Sequence, residues 1–351
     1  MSDASISNRR ALVLGAVVFL IALALRLALL HTARFGGDEA LFFGIGLDIV
    51  DGKHLPLLGT QITDGQGRLP GPAFLYLMAL PLLIARAPEA QYAFTEVLGA
   101  VTVGVFWHAM RRPFGEVGAA FAALLLALSP WSALYADRTW NPNVLPLFVA
   151  LGLLAALRVR EDPRSRWLCA LVPLCAVMPQ LHMSAPVAWA GLVVVAWPAL
   201  ARRRDIPRRH IALALALAAA LYVPLAIHEI ATGFGNTRAI LNETVGNGDR
   251  HPLSFLWVPV YALRFLTLDA TYHELSGYWG GPDEMACLKA ALLGSTPRPF
   301  SPLRLAALLA SVALAIAALA ALVRAKDQRA FVWAALAALL TNIAFIAVTG
   351  K

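Results

Sequence analysis

The chain has 351 residues, 59% of them hydrophobic and 14% charged, with a mean hydropathy of +0.68 and a formal net charge of +8. A soluble domain carries about a quarter charged residues, so this composition excludes an ordinary soluble globule and reads as one polytopic helical membrane domain over residues 1–351. The basic excess sits in short loops between apolar segments, which is an orientation signal and gives no reason to expect nucleic acid as a partner.

Residues 1–10 are polar and end in Arg9-Arg10. Residues 11–30 are apolar except for Arg26. They are too long for a signal-peptide core and are expected to form an uncleaved first span with a cytoplasmic N-terminus. Further apolar segments follow at 92–110, 117–134, 143–157, 167–178, 184–200, 211–228, 303–323 and 330–349. Runs of this kind approach the ~20 residues that cross a bilayer core. Two others, 72–85 and 255–268, are short and carry Pro81 and Pro259. Left uncrossed, they let the basic loops beginning at Arg111, Arg158, Arg202 and Arg324 all face the cytoplasm. The inner loops then hold sixteen Lys/Arg against six Asp/Glu, and the outer segments twelve against fourteen. The expected fold is an all-α membrane protein of about nine transmembrane helices plus outer-face juxtamembrane helices. Residues 31–91 form a first outer loop, 229–302 a large second outer loop, and 303–351 the C-terminal spans.

Potentially functional polar groups gather on the outer side of this topology. Asp38 and Glu39 follow span one, in a stretch (35–76) that also carries Arg68. Asp137, Arg138, Asn141 and Asn143 follow span three. His182 lies between spans five and six, and the large outer loop adds Tyr272, His273 and Glu274. An adjacent acidic pair at a membrane mouth is costly unless solvated, paired or used. It also suits the first turn of a helix, especially after Gly36-Gly37. Carboxylates and cations on one face suit an anionic, lipid-anchored substrate, with cations on phosphate and a carboxylate moving a proton. Asp38, Glu39 and His182 are of types that hold a divalent metal, though no ligand spacing singles them out. Arg26 reads as an internally paired or snorkelling charge. The three cysteines show no disulfide or zinc pattern.

The order of several motifs resembles the C-type glycosyltransferase superfamily, in the branch of the protein O-mannosyltransferases and the lipid A aminoarabinose transferase. They are Asp38-Glu39 after the first span, Arg68-Leu-Pro-Gly-Pro-Ala-Phe-Leu-Tyr76, Arg111-Arg112-Pro-Phe-Gly115, the stretch Leu128 to Phe148 containing Asp137-Arg-Thr-Trp-Asn-Pro-Asn143, and Pro179-Gln-Leu-His182. The resemblance covers roughly residues 10–200. It implies a polyprenyl-phosphate sugar donor and an inverting transfer at the outer face to a lipid, glycan or protein acceptor. Asp38 would be the base and Glu39 would orient the acceptor or assist a metal. Arg138 and His182 would lie near the donor phosphate, with Arg68 a further candidate. Asn141, Asn143, Tyr272, His273 and Glu274 would belong to the substrate loops. The chain departs from the family where Leu69 separates Arg68 from the prolines and Gly71 splits the proline pair. The composition is compatible with a bacterial inner membrane.

An inverting transfer needs one carboxylate to take the acceptor proton and cations for the leaving phosphate. The rival class is a transporter or flippase of lipid-linked sugars, which should show midplane charges, broken helices and repeated halves. No internal repeat is visible, and the polar groups concentrate on one side. A non-catalytic assembly partner is the third reading.

Overall fold

The structure is a computed structural model. It describes residues 3–33, 35–62, 67–129, 132–133, 138–246, 313, 316–318, 320–325 and 328–349. Among them the chain is helical, with a single isolated β-bridge between Gln61 and Arg68.

Helix α1 (Asp3–Leu29) leads through a short 3-10 turn to α2 (Gly37–Val50). A connection over residues 51–72 enters α3 (Ala73–Ala79), which tightens into a 3-10 turn over Leu80–Leu83. The whole apolar element at 73–83 is too short to cross a bilayer core. Its shortness follows from Pro72 before it and Pro81 inside it.

Helix α4 (Pro88–Leu128) is 41 residues long and joins two helices across a break. The break falls on Arg111-Arg112-Pro113-Phe114-Gly115. Pro113 removes a helical donor, and Gly115 takes φ +73°, a conformation that favours glycine. Two apolar segments expected as neighbouring spans thus turn with almost no loop between them. Next come α5 (Asn141–Glu161), α6 (Leu168–Leu181) and α7 (Ala185–Leu200). Helices α8 (Arg208–Leu221) and α9 (Val223–Thr232) bend by 51° at Tyr222. Gly233 closes α9 in the left-handed conformation (φ +59°), and α10 (Gly235–Gly246) follows. The last described helix is α11 (Arg329–Thr349).

Three of these helices are long and apolar enough to span a membrane, at 11–29, 88–128 and 141–161, and the bent α8–α9 pair makes a fourth. The segment expected at 143–157 lengthens to 21 residues and so reaches across. Helices α6 and α7 have 14 and 16 residues, so at about 1.5 Å per residue each rises only about 21–24 Å. Length alone therefore does not reproduce the count of nine. The expected span 303–323 and juxtamembrane segment 255–268 fall largely or wholly outside the described residues.

Small residues let the helices approach. Ala11, Ala22, Ala100, Ala119, Ala123 and Ala127 are buried where α1 meets α4, as expected where packing rather than hydrophobicity drives association. A second core joins α5, α6, α7 and α8, with α11 against α7. A third is small and decisive for the site. Phe42 of α2, Phe74, Leu75 and Met78 of α3, Val144 of α5 and Leu181 of α6 pack together.

The two ends of the bundle differ. At one end Arg112 and Arg158 both pair with Glu161, and Gln328 donates to the Pro113 carbonyl at 3.1 Å. Phe114 packs on Phe331 there, ring centroids 5.0 Å apart. Three of the basic loops read as cytoplasmic are thereby gathered at one end. The Asp-Glu pair, Asn141 and His182 belong to the other.

Candidate active site

The site is built where α2 starts, α5 starts and α6 ends. Gly36 is extended (φ −111°, ψ −162°) and breaks the chain's approach to α2. Its backbone N–H donates to the Glu39 Oε2 at 3.2 Å, so Glu39 folds back over the first turn and is buried, 9% exposed. Glu39 thus caps its own helix. Asp38, one residue earlier, is exposed. Glu39 serves the helix start, while Asp38 is exposed.

Asp38 lies one turn N-terminal to Phe42 on the same stripe of α2. Phe42 belongs to the small core that also holds Val144 and Leu181, joined to them through α3, which packs on both α2 and α6. The α5–α6 junction is hydrogen-bonded. Asn141 Nδ2 donates to the Leu181 carbonyl at 2.8 Å, and Asn143 Nδ2 to the Arg138 carbonyl at 3.3 Å. Both asparagines, expected as substrate-loop residues, spend side-chain amides on backbone. Asn141 ties the segment after Arg138 to the residue before His182. Asn143 fixes the main chain of Arg138.

His182 ends α6 in an extended conformation, its N–H on the Met178 carbonyl at 3.0 Å. Its Nδ1 accepts the Ser184 backbone N–H at 3.2 Å and lies 2.8 Å from Ser184 Oγ. The ring proton therefore sits on Nε2. Burial holds the imidazole below the usual histidine range. His182 is presented as a neutral donor through Nε2–H rather than as a cation.

Arg68 belongs to a narrow turn in which Leu69 N–H donates to the Thr60 carbonyl (2.9 Å) and Gly59 N–H to the Leu69 carbonyl (3.0 Å). Asn236 of α10 grips it from outside: Arg68 N–H donates to Asn236 Oδ1 at 2.8 Å, and Asn236 Nδ2 to the Arg68 carbonyl at 3.0 Å. The Arg68 side chain is exposed. The backbone of this candidate cation is clamped while its guanidinium remains at the surface.

The glycine between the prolines has a structural reason. Gly71 takes φ +150°, and a Cβ there would come within 2.3 Å of Gln180 Oε1. Gln180 is itself buried and donates to the Leu221 carbonyl at 2.9 Å. Replacing Gly71 by Ala should destabilise the protein by at least about 2 kcal/mol through backbone strain and collision, read as a lowered melting temperature. An unchanged melt would contradict this packing.

Arg26 is fully buried. Its guanidinium donates to the Ala22 carbonyl (3.1 Å), the Ser132 carbonyl (3.3 Å) and Ser132 Oγ (2.7 Å). It also interacts electrostatically with Glu96 of α4, which is fully buried as well. The expected internal pairing of Arg26 is thus seen. Glu96 escaped the sequence reading because it stands alone in an otherwise apolar stretch. Asn236 gave no signal at all, since its partner is 168 positions away.

Among the described residues no three His, Cys, Asp or Glu side chains come together to hold an ion, so Asp38, Glu39 and His182 are not gathered as a set. Tyr272, His273 and Glu274 lie outside the described residues, as does Asp137.

A helical membrane protein with an exposed carboxylate at the start of α2 and a hydrogen-bonded α5–α6 junction is the class this geometry defines. Residues 70–228, rather less than half the chain, match the family model described as dolichyl-phosphate-mannose-protein mannosyltransferase. The fold is similar to the crystal structure of ArnT from Cupriavidus metallidurans bound to undecaprenyl phosphate. The TM-score is 0.52 at 16% identity, over 97% of this chain and 76% of that one. No curated protein matches the sequence. The chain is thus similar to this mannosyltransferase family over residues 70–228 and to the ArnT structure in its membrane fold.

Proposed function

We propose that the protein is an inverting glycosyltransferase, moving a sugar from a polyprenyl-phosphate donor to an acceptor at the outer face of a bacterial inner membrane. The observation that carries this reading is the division of labour at the start of α2, where Glu39 is spent on the helix and Asp38 is left open. Asp38 takes the acceptor proton as the acceptor oxygen attacks the anomeric carbon opposite the lipid phosphate. The new glycosidic bond forms, the bond to the phosphate oxygen breaks, and the electron pair leaves with the lipid phosphate. No nucleophile on the protein is needed. Arg138, His182 and Arg68 are the candidates for the phosphate, and 31–91 is the outer loop that carries the base. The undecaprenyl phosphate named with the ArnT structure supports a donor of this lipid class. The segregation of Arg112, Arg158 and the Gln328 loop to the opposite end supports an N-terminus inside and a site outside.

The test is saturable binding of radiolabelled polyprenyl-phosphate sugars, offered singly to the protein in nanodiscs. Binding of one of them supports the reading and names the donor, and failure of all of them sinks it. The neutral imidazole adds a pH expectation. A His182 cation on phosphate would lose affinity as pH rises through the ordinary histidine pKa of about 6.5. A neutral Nε2–H donor leaves affinity level from that pH to about 8. Because burial lowers the folded-state value, acid charges the unfolded chain first, and stability falls as pH drops below about 6.5. Donor affinity that declines steadily between pH 6.5 and 8 would contradict this assignment.

A further inference from the structure

At the end of the bundle away from Asp38, helices α1, α4 and α5 enclose a broadly open groove of about 480 Å³. Its walls include Gly15, Phe19, Gly104, Trp107, His108 and Leu154. Gly104 leaves its wall open, and Gly15 lets the Trp107 ring close on α1, where a Cβ would meet that ring at 2.5 Å. A groove so apolar, in helices that cross the membrane, is a place for hydrocarbon, since backbone and side chains at that depth have no water to answer.

One end of the groove is rimmed by cations. Arg111 lies over the Trp107 ring, 5.7 Å from its centroid, and Arg158 Nη2 lies 3.4 Å from His108 Nε2. Arg112 and Arg158 both pair with Glu161. Two guanidiniums thus share one carboxylate while Arg111 rests on the Trp107 ring, and the Arg158 side chain is only 15% exposed. A zwitterionic headgroup would bring its own cation to this rim, whereas an anionic one complements it.

We propose that this groove is a binding site for an anionic glycerophospholipid, with one acyl chain between α1 and α4 and the phosphate on Arg111 and Arg158. The site is separate from the proposed catalytic end and rests only on the membrane character of the chain, so it stands or falls independently of the transferase reading. Its consequence is to hold the α4 break and the end of α5 at the inner lipid surface.

The test titrates the purified full chain in detergent with phosphatidylglycerol or phosphatidylcholine and counts adducts by native mass spectrometry. Wild type should bind one phosphatidylglycerol in preference to phosphatidylcholine. Arg111→Gln should lower that preference about five-fold, the value expected for one arginine at an anionic headgroup. Gly104→Leu should reduce retention of both lipids, since a Cβ there meets only Phe19 at 3.6 Å and the rest of the side chain must enter the groove. If Gly104→Leu fails to fold, Val105→Phe fills the same wall. Equal binding of the two lipids by wild type, an unchanged preference in Arg111→Gln, or full retention in a folded groove-filling variant would each overturn the site.

Discussion

Asp38→Asn should lower glycosyl transfer by about 10²–10⁴-fold, the usual contribution of a general base, while donor affinity changes little. The change is isosteric, and Asp38 is exposed and caps nothing, so the melting temperature should also hold. Glu39→Gln behaves differently. Its amide oxygen can still accept the Gly36 N–H, so the helix start survives and transfer should fall far less. A Glu39→Ala variant loses the cap, at about 1 kcal/mol, and shows its defect in stability first. Measuring turnover, donor affinity and melting on the three variants separates the roles. If Asp38→Asn keeps full turnover, or Glu39→Gln loses as much as Asp38→Asn, the division between the two carboxylates is wrong.

The second large effect is in the membrane. Arg26→Met removes a buried guanidinium that interacts electrostatically with the buried Glu96, and releases Ser132. Losing the hydrogen bonds of a buried charged group costs about 1.5–3 kcal/mol, and the loss should appear as a lower folding yield and a lowered melt. Arg26→Met combined with Glu96→Leu removes both charges and should recover most of that loss, because an apolar replacement of a buried pair is often neutral. Ser132→Ala removes only one hydrogen bond and costs about 1 kcal/mol. A double variant no better than Arg26→Met alone would show that Arg26 acts through Ser132 and not through Glu96. Arg26 also ties α1 to Ser132.

The sequence carried the fold class through composition and the spacing of charges. The basic loops after Arg111 and Arg158 and the one before Arg329 were readable as one side of a membrane, and the structure brings them together through Glu161 and Pro113. The short helix at 73–83 was readable from its length, with Pro72 before it and Pro81 inside it. Span boundaries were less so. The helix expected at 143–157 runs on to Glu161 because nothing in Arg158-Val-Arg-Glu stops a helix. The division between Asp38 and Glu39 could only be weighed, since both positions suit a first helical turn and only the fold shows which one bends back on Gly36. The reciprocal grip of Asn236 on Arg68 and the packing of Gln180 on Gly71 join residues over a hundred positions apart. No local pattern encodes such contacts. The split proline pair, which read as a departure from the family, is explained by that packing.

The most direct measurement places radiolabelled polyprenyl-phosphate sugar in the outer leaflet of sealed vesicles containing the protein and follows both bond cleavage and leaflet. The account predicts slow loss of sugar from the lipid, with lipid phosphate released, no movement of intact donor across the bilayer, and cleavage abolished by Asp38→Asn. Intact donor appearing in the inner leaflet without cleavage would contradict it and make the protein a flippase.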